Sequence, residues 1–211
     1  MSVERSDDAH PPREARLPVG SLPPDAPISL APGTALITDL HLAPLGDART
    51  DRFELDCAAF EGAPRLIVLG DLFDVWVGPK QARLAGSERV LRALRRLVDA
   101  GTAVEVVPGN RDTLLGAAFE RATGATLWRE GFVATLGPAG RRVAFVHGDA
   151  LCTLDRGYQR LRRLLRSGPV RWASRRAPLW FARRIGHRLR AESEGRKPFK
   201  LADERSIRRA A

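Results

Sequence analysis

Leu66-Ile67-Val68-Leu69-Gly70-Asp71-Leu72-Phe73-Asp74 is a short apolar run that breaks into Gly-Asp. A run of this length bounded by turn residues reads as a buried strand. Such a strand delivers Asp71 to the carboxyl edge of a sheet, where open α/β folds place their ligands. Three other stretches repeat the device: Thr38-Asp39-Leu40-His41, Gly109-Asn110-Arg111-Asp112 and His147-Gly148-Asp149, each after an apolar run. Taken singly, Asp39 and Asp71 read equally well as turn residues or helix caps. Asn110 alone reads as a turn residue, and His41 or His147 alone as a hydrogen-bonded histidine. The joint pattern points elsewhere, because donors of the right type follow four separate strands.

Asp39, His41, Asp71, Asn110 and His147 together offer carboxylate, amide and imidazole donors. That set suits a borderline divalent ion such as Mn²⁺, Fe²⁺ or Zn²⁺. Asp39 and His41 can turn toward one ion, Asp71 has two oxygens with which to bridge, and Asn110 and His147 suit a second ion. Two ions ~3.5–4 Å apart clamp a phosphoryl group and lower the pKa of a bridging water.

The flanking sequence alternates strand and helix. Ala35–Thr38, Arg65–Leu69 and Ala103–Val107 are expected strands. Arg52 to Phe60 has helical spacing, Ser87 is the expected cap of a helix striped by Val90, Leu94 and Leu97, and Gly101 stops it. Leu114–Ala122 is an expected helix ending at Gly124. Phe132–Leu136 and Arg142–Val146 form an expected hairpin through Gly137-Pro138-Ala139-Gly140. The order implies an α/β layered domain. Residues 1–32, rich in Pro, Asp, Arg and Ala without apolar period, read as a disordered leader. After Asp149 the chain reads as helical and basic.

With 44% apolar and 28% charged residues, the 211-residue chain fits one globular domain. No apolar run reaches the ~20 residues a membrane helix needs. Cys57 and Cys152 make no disulfide framework, so a cytoplasmic setting is expected. Residues 151–211 carry 18 Lys/Arg against 5 Asp/Glu, a net of +13, while residues 1–150 carry −3. So basic a final third implies an anionic partner.

Asp-x-His, Gly-Asp, Gly-Asn-Arg-Asp and His-Gly-Asp in this order resemble the calcineurin-like metallophosphoesterases. The longer blocks Leu69–Gly78 and His147–Thr153 resemble the branch acting on UDP-2,3-diacylglucosamine in lipid A biosynthesis, and the resemblance covers about residues 34 to 200. It implies a layered sandwich over residues 33–211 with a helical basic lid over about 154–200. It implies two Mn²⁺ (or other divalent) ions, the first on Asp39 and His41, the second on Asn110 and His147, with Asp71 bridging. Asp71, Asn110, Arg111 and His147 would be catalytic. Arg111 would contact the phosphates, the alternative being an ion pair with Asp112. Tyr158, Ser193 and Lys200 would touch the nucleotide or sugar phosphate.

The implied reaction is attack of an activated water on the α-phosphorus of a UDP-activated acylated sugar, giving UMP and 2,3-diacylglucosamine 1-phosphate. The lid would receive the acyl chains and lie on the anionic inner-membrane surface, on its cytoplasmic side; nucleic acid is not favoured as a partner and oligomeric state is left open. The family also has a Gly-His-x-His motif, which these residues do not contain, so a missing C-terminal segment is expected. Pro79-Lys80-Gln81 stands where the family usually has acidic residues. Two rival readings stay open: a related phosphoesterase with another phosphate-ester substrate, and a non-catalytic domain that binds UDP-lipid.

Overall fold

A computed structural model of the chain describes residues 23–151, 156–176, 178–180 and 184. Four parallel strands lie in chain order: β2 (Ala35–Ile37), β3 (Arg65–Leu69), β4 (Ala103–Val107) and β5 (Thr126–Leu127). Parallel neighbours need crossover connections, and three helices supply them: α1 (Ala48–Ala59), α2 (Ala85–Asp99) and α3 (Ala117–Thr123). Because such crossovers are right-handed, consecutive ones in one direction put their helices on one face of the sheet.

Side-chain alternation along β3 and β4 separates two cores. Leu66, Val68, Val104 and Val106 face the helices and pack with Phe53, Cys57, Val90, Leu94, Leu97 and Phe119. Ile67 and Val107 face the other way and pack with Ile28, Phe132 and Ala134. Those last residues belong to a second, mixed sheet of β1 (Asp25–Leu30), β6 (Phe132–Leu136) and β7 (Arg141–Phe145), in the order β1-β6-β7. The architecture is helices on sheet on sheet, the layered α/β class expected.

Local chemistry accounts for most boundaries. Asp47 caps α1 through a reciprocal capping box with Thr50. Gly124 ends α3 in the left-handed conformation, as expected. Gly137 and Gly140 turn the β6–β7 hairpin with positive φ, and its strands pair antiparallel from Phe132↔Phe145 to Leu136↔Arg141. Ser87 is a correction: α2 begins at Ala85, and Ser87 is fully buried within its first turn, with no hydrogen-bond partner for its hydroxyl among the described residues. Close packing of α2 on the loop after β2, where Ser87 N donates to Pro44 O at 3.0 Å, places it there.

The expected leader is also corrected at its end. Asp25–Leu30, inside the stretch read as disordered, adds β1 in parallel to β6. Residues 1–22 lie outside the described residues. After β7 come a short 3₁₀ turn (Gly148–Leu151) and helices α4 (Arg156–Arg166) and α5 (Gly168–Arg176). The rest of the expected lid, to residue 200, lies almost wholly outside the described residues. Among the described residues no helix is long and apolar enough to cross a membrane.

Candidate metal centre

The loops leaving β2, β3, β4 and β7 meet at the carboxyl edge of the sheets, and backbone hydrogen bonds lock them in register. Asp39 N donates to Gly70 O at 3.2 Å, His41 N to Asp71 O at 2.9 Å and Leu42 N to Leu72 O at 3.0 Å. Gly70 N in turn donates to Val107 O at 2.8 Å, and Arg111 N to the Asp71 carboxylate at 3.0 Å. The parallel pairing of the sheet thus continues into the loops and fixes where their side chains project.

Asp39, His41 and Asp71 all adopt left-handed backbone, with φ of 54°, 50° and 47°. Non-glycine residues rarely do so, and such strain concentrates at functional sites. The result brings one ligand atom of each within 4.8 Å of the others. His41 Nδ1 has no hydrogen-bond partner among the described residues and lies 3.9 Å from Asp71 Oδ2. The Asn110 carboxamide approaches the same carboxylate, to 2.9 and 3.2 Å. With its nitrogen turned inward it donates to Asp71; with its oxygen inward it would offer an oxygen donor beside that carboxylate.

Burial pushes the Asp71 carboxyl above the usual carboxylate range, while the Arg111 N–H and the nearby His147, His41 and Arg111 charges pull it back. Burial also lowers the His41 imidazole pKa, against the pull of Asp71. A neutral imidazole is the form that ligates. Orphaned nitrogen, clustered carboxylates and mixed N/O donors fit a divalent cation.

Two glycines let the loops close. A Cβ on Gly109 would fall 2.1 Å from Asp71 Oδ1, and one on Gly70 only 1.8 Å from His147 Nδ1. His147 therefore lies directly over Gly70, its Nδ1 3.4 Å from Leu69 O. It reaches the centre from the second sheet but is outside the three-residue cluster. Arg111 does not pair with Asp112. Its guanidinium lies 3.3 Å from Asp74 Oδ1 and 3.8 Å from Asp71 Oδ2. Asp112 is instead fully buried and accepts from Gly109 N at 2.8 Å and Phe73 N at 3.3 Å. Burial, reinforced by the Asp71 charge, pushes its carboxyl up to about 7. Asp112 clips two loops together, and Asp74 steadies Arg111. Sequence reasoning assigned neither role, although both stand inside the quoted motifs. The Tyr158 side chain, Ser193 and Lys200 lie outside the described residues.

The basic segment is docked by its charges. Arg162 and Arg166 are only 16% exposed; Arg162 pairs with Asp149 at 3.0 Å and Arg166 with Glu130 at 2.7 Å. Leu161, Leu164 and Trp172 on the same two helices are 43%, 58% and 57% exposed. On α4, Arg162 and Arg166 turn inward while Leu161 and Leu164 turn outward, opposite to ordinary packing; Arg160 and Arg163 stay exposed. In the Pro79-Lys80-Gln81 turn, Lys80 Nζ donates to Arg176 O at 3.1 Å, supporting the C-terminus of α5. Gln81, buried, bonds Val75 O and Val77 N.

No family model matches the chain. Curated relatives do. A UDP-2,3-diacylglucosamine hydrolase of one Pseudomonas putida strain is 40% identical over 162 residues, 75% of this chain and 65% of that protein. One from another P. putida strain is 37% identical over 172 residues, covering 80% and 69%. A third, from Pseudomonas fluorescens, is 40% identical over 169 residues, covering 80% and 66%. The chain spans 65–69% of the length of these relatives. With its strained Asp-x-His and Gly-Asp loops brought together and this identity across most of its length, the chain belongs to the UDP-2,3-diacylglucosamine hydrolase family.

Proposed function

We propose that the chain hydrolyses the pyrophosphate bond of UDP-2,3-diacylglucosamine, a step of lipid A biosynthesis, giving UMP and 2,3-diacylglucosamine 1-phosphate. The convergence of Asp39, His41 and Asp71 within 4.8 Å carries this reading, together with the activity for which the relatives are named. Two Mn²⁺ ions are the cofactors proposed: Asp39 and His41 would hold one, Asn110 and His147 the other, and Asp71 would serve both. When bound, such ions polarise phosphoryl oxygens and lower the pKa of water to near neutral. Arg111, always charged and forked, would grip the pyrophosphate. Asp74 holds that fork at 3.3 Å, so little rotamer freedom is lost when the phosphate arrives. Tyr158, Ser193 and Lys200 are proposed contacts to the nucleotide or sugar phosphate.

The outward leucines and Trp172 support a lid that takes acyl chains and rests on an anionic inner-membrane surface from the cytoplasmic side. UMP release by the purified chain in Mn²⁺ is the test, with Asp71→Asn beside it. The expected result is release from the diacylated substrate, little from UDP-glucose, and none from Asp71→Asn, which loses the bridging charge. Equal turnover of the sugar without acyl chains, or near-normal turnover by Asp71→Asn, overturns the reading.

A further inference from the structure

A cleft of about 80 Å³ opens where the loop after β4, the turn after β5 and helices α4 and α5 meet, lined by Pro108, Thr113, Arg129, Glu130, Arg166 and Arg171. Three guanidiniums face it with one carboxylate. Arg166 spends its charge on Glu130 at 2.7 Å and donates to Thr113 Oγ1 at 3.2 Å. Arg129 donates to a neutral acceptor, Leu115 O, at 2.8 Å. Arg171 makes no side-chain hydrogen bond or ion pair among the described residues. Burial, and then the facing charges of Arg171, Arg166 and Arg175, hold Arg129 below the usual arginine range against the pull of Glu120. Like charges crowded around a partly enclosed space repel unless an anion fills it.

We propose that this cleft binds a tetrahedral oxyanion, a phosphate group, between Arg129 and Arg171, at a site separate from the metal centre. Guanidinium forks match phosphate oxygens two at a time. The Thr113 hydroxyl, already accepting from Arg166, has its own proton to donate. The phosphate has two possible sources: a soluble phosphate monoester, or the headgroup of an anionic lipid reached beside the exposed Trp172. The site does not depend on the proposed hydrolysis.

The test is inorganic phosphate titrated into the full chain with EDTA present, read by calorimetry, so that phosphate held through metal ions does not contribute. Arg171→Gln, Arg171→Lys and Arg111→Gln are compared, with circular dichroism checking each fold. The expected result is saturable binding weakened about tenfold or more by Arg171→Gln, as loss of a charged hydrogen-bond pair requires. Arg171→Lys should lose less, and Arg111→Gln should bind like the parent. Sedimentation with phosphatidylcholine vesicles containing phosphatidic acid separates the sources: Arg171-dependent pelleting points to a headgroup, and Arg171-dependent phosphate binding without it to a soluble monoester. No saturable phosphate binding by the parent, or equal binding by Arg171→Gln, overturns the proposal.

Discussion

Asp39 is solvent-exposed, carries a left-handed backbone at φ 54° and offers its carboxylate to the metal cluster. Its conformation costs on the order of 1 kcal/mol for a non-glycine residue. Little packing would be lost with its side chain. Asp39→Gly should therefore lower Mn²⁺ affinity by at least ~10–100-fold, a loss no smaller than that of an outer orienting group. Its stability in EDTA should stay within about 1 kcal/mol of the parent, because backbone relief offsets the added freedom of glycine in the unfolded chain. Equilibrium dialysis and urea melts check both halves; a large loss of metal-free stability would make Asp39 a structural residue. Asp112 predicts the reverse. Asp112→Ala leaves the buried Gly109 and Phe73 N–H groups without their acceptor. That should cost about 2–4 kcal/mol, seen as a lowered urea midpoint in EDTA. Only the histidine two positions after Asp39 separates these two aspartates in the sequence, since each otherwise follows an apolar strand in a turn-forming context.

At the scale of elements, the interface between the two sheets holds one charged pair. Glu105 on β4, 5% exposed, pairs with Arg65 of β3 and accepts from Trp128 Nε1 at 2.6 Å. Arg65→Met leaves that carboxylate with Trp128 alone and should cost about 3 kcal/mol. Adding Glu105→Leu should restore most of the loss, because the unpaired charge rather than the missing pair is what destabilises. A double-mutant cycle by urea denaturation measures this, and an additive double variant refutes it. The same elements show what could be read from sequence. β3 and β4 were legible because both faces are buried: Leu66–Leu69 is an unbroken apolar run, and β4 is interrupted only by Glu105. The β6–β7 hairpin was legible through its glycines. β1 was not: Ala26, Ile28 and Leu30 alternate with Asp25, Pro27 and Ser29, but the prolines at 23, 24 and 27 mask that period, and the partner strand lies more than a hundred positions away. β5 has only two residues, Thr126–Leu127, too few to show any period. The inward arginines of α4 were also hidden, since composition reports how many charges a helix carries and not which carboxylates wait beneath it.

Across the whole molecule, charge and core are segregated. The +13 of residues 151–211 lies beyond β7, and among the described residues the helix-facing core is contributed by the first 127. The basic helices rest on ion pairs and one lysine-capped helix end, contacts that opening would hydrate at little cost. The core on the helix side has no such escape. Cys57 sits in it, 2% exposed, between α1 and the sheet. Burial pushes its thiol up to about 12. At pH 8 such a group would be thiolate in only about one molecule in ten thousand. Alkylation at Cys57, followed by peptide mass spectrometry so that Cys152 does not contribute, should then be very slow in native buffer. Its rate should rise with urea in step with loss of far-ultraviolet circular dichroism, because the thiol is reached only when the helix layer leaves the sheet. Rapid labelling in native buffer would mean that α1 detaches by itself and that the layers do not unfold as one unit.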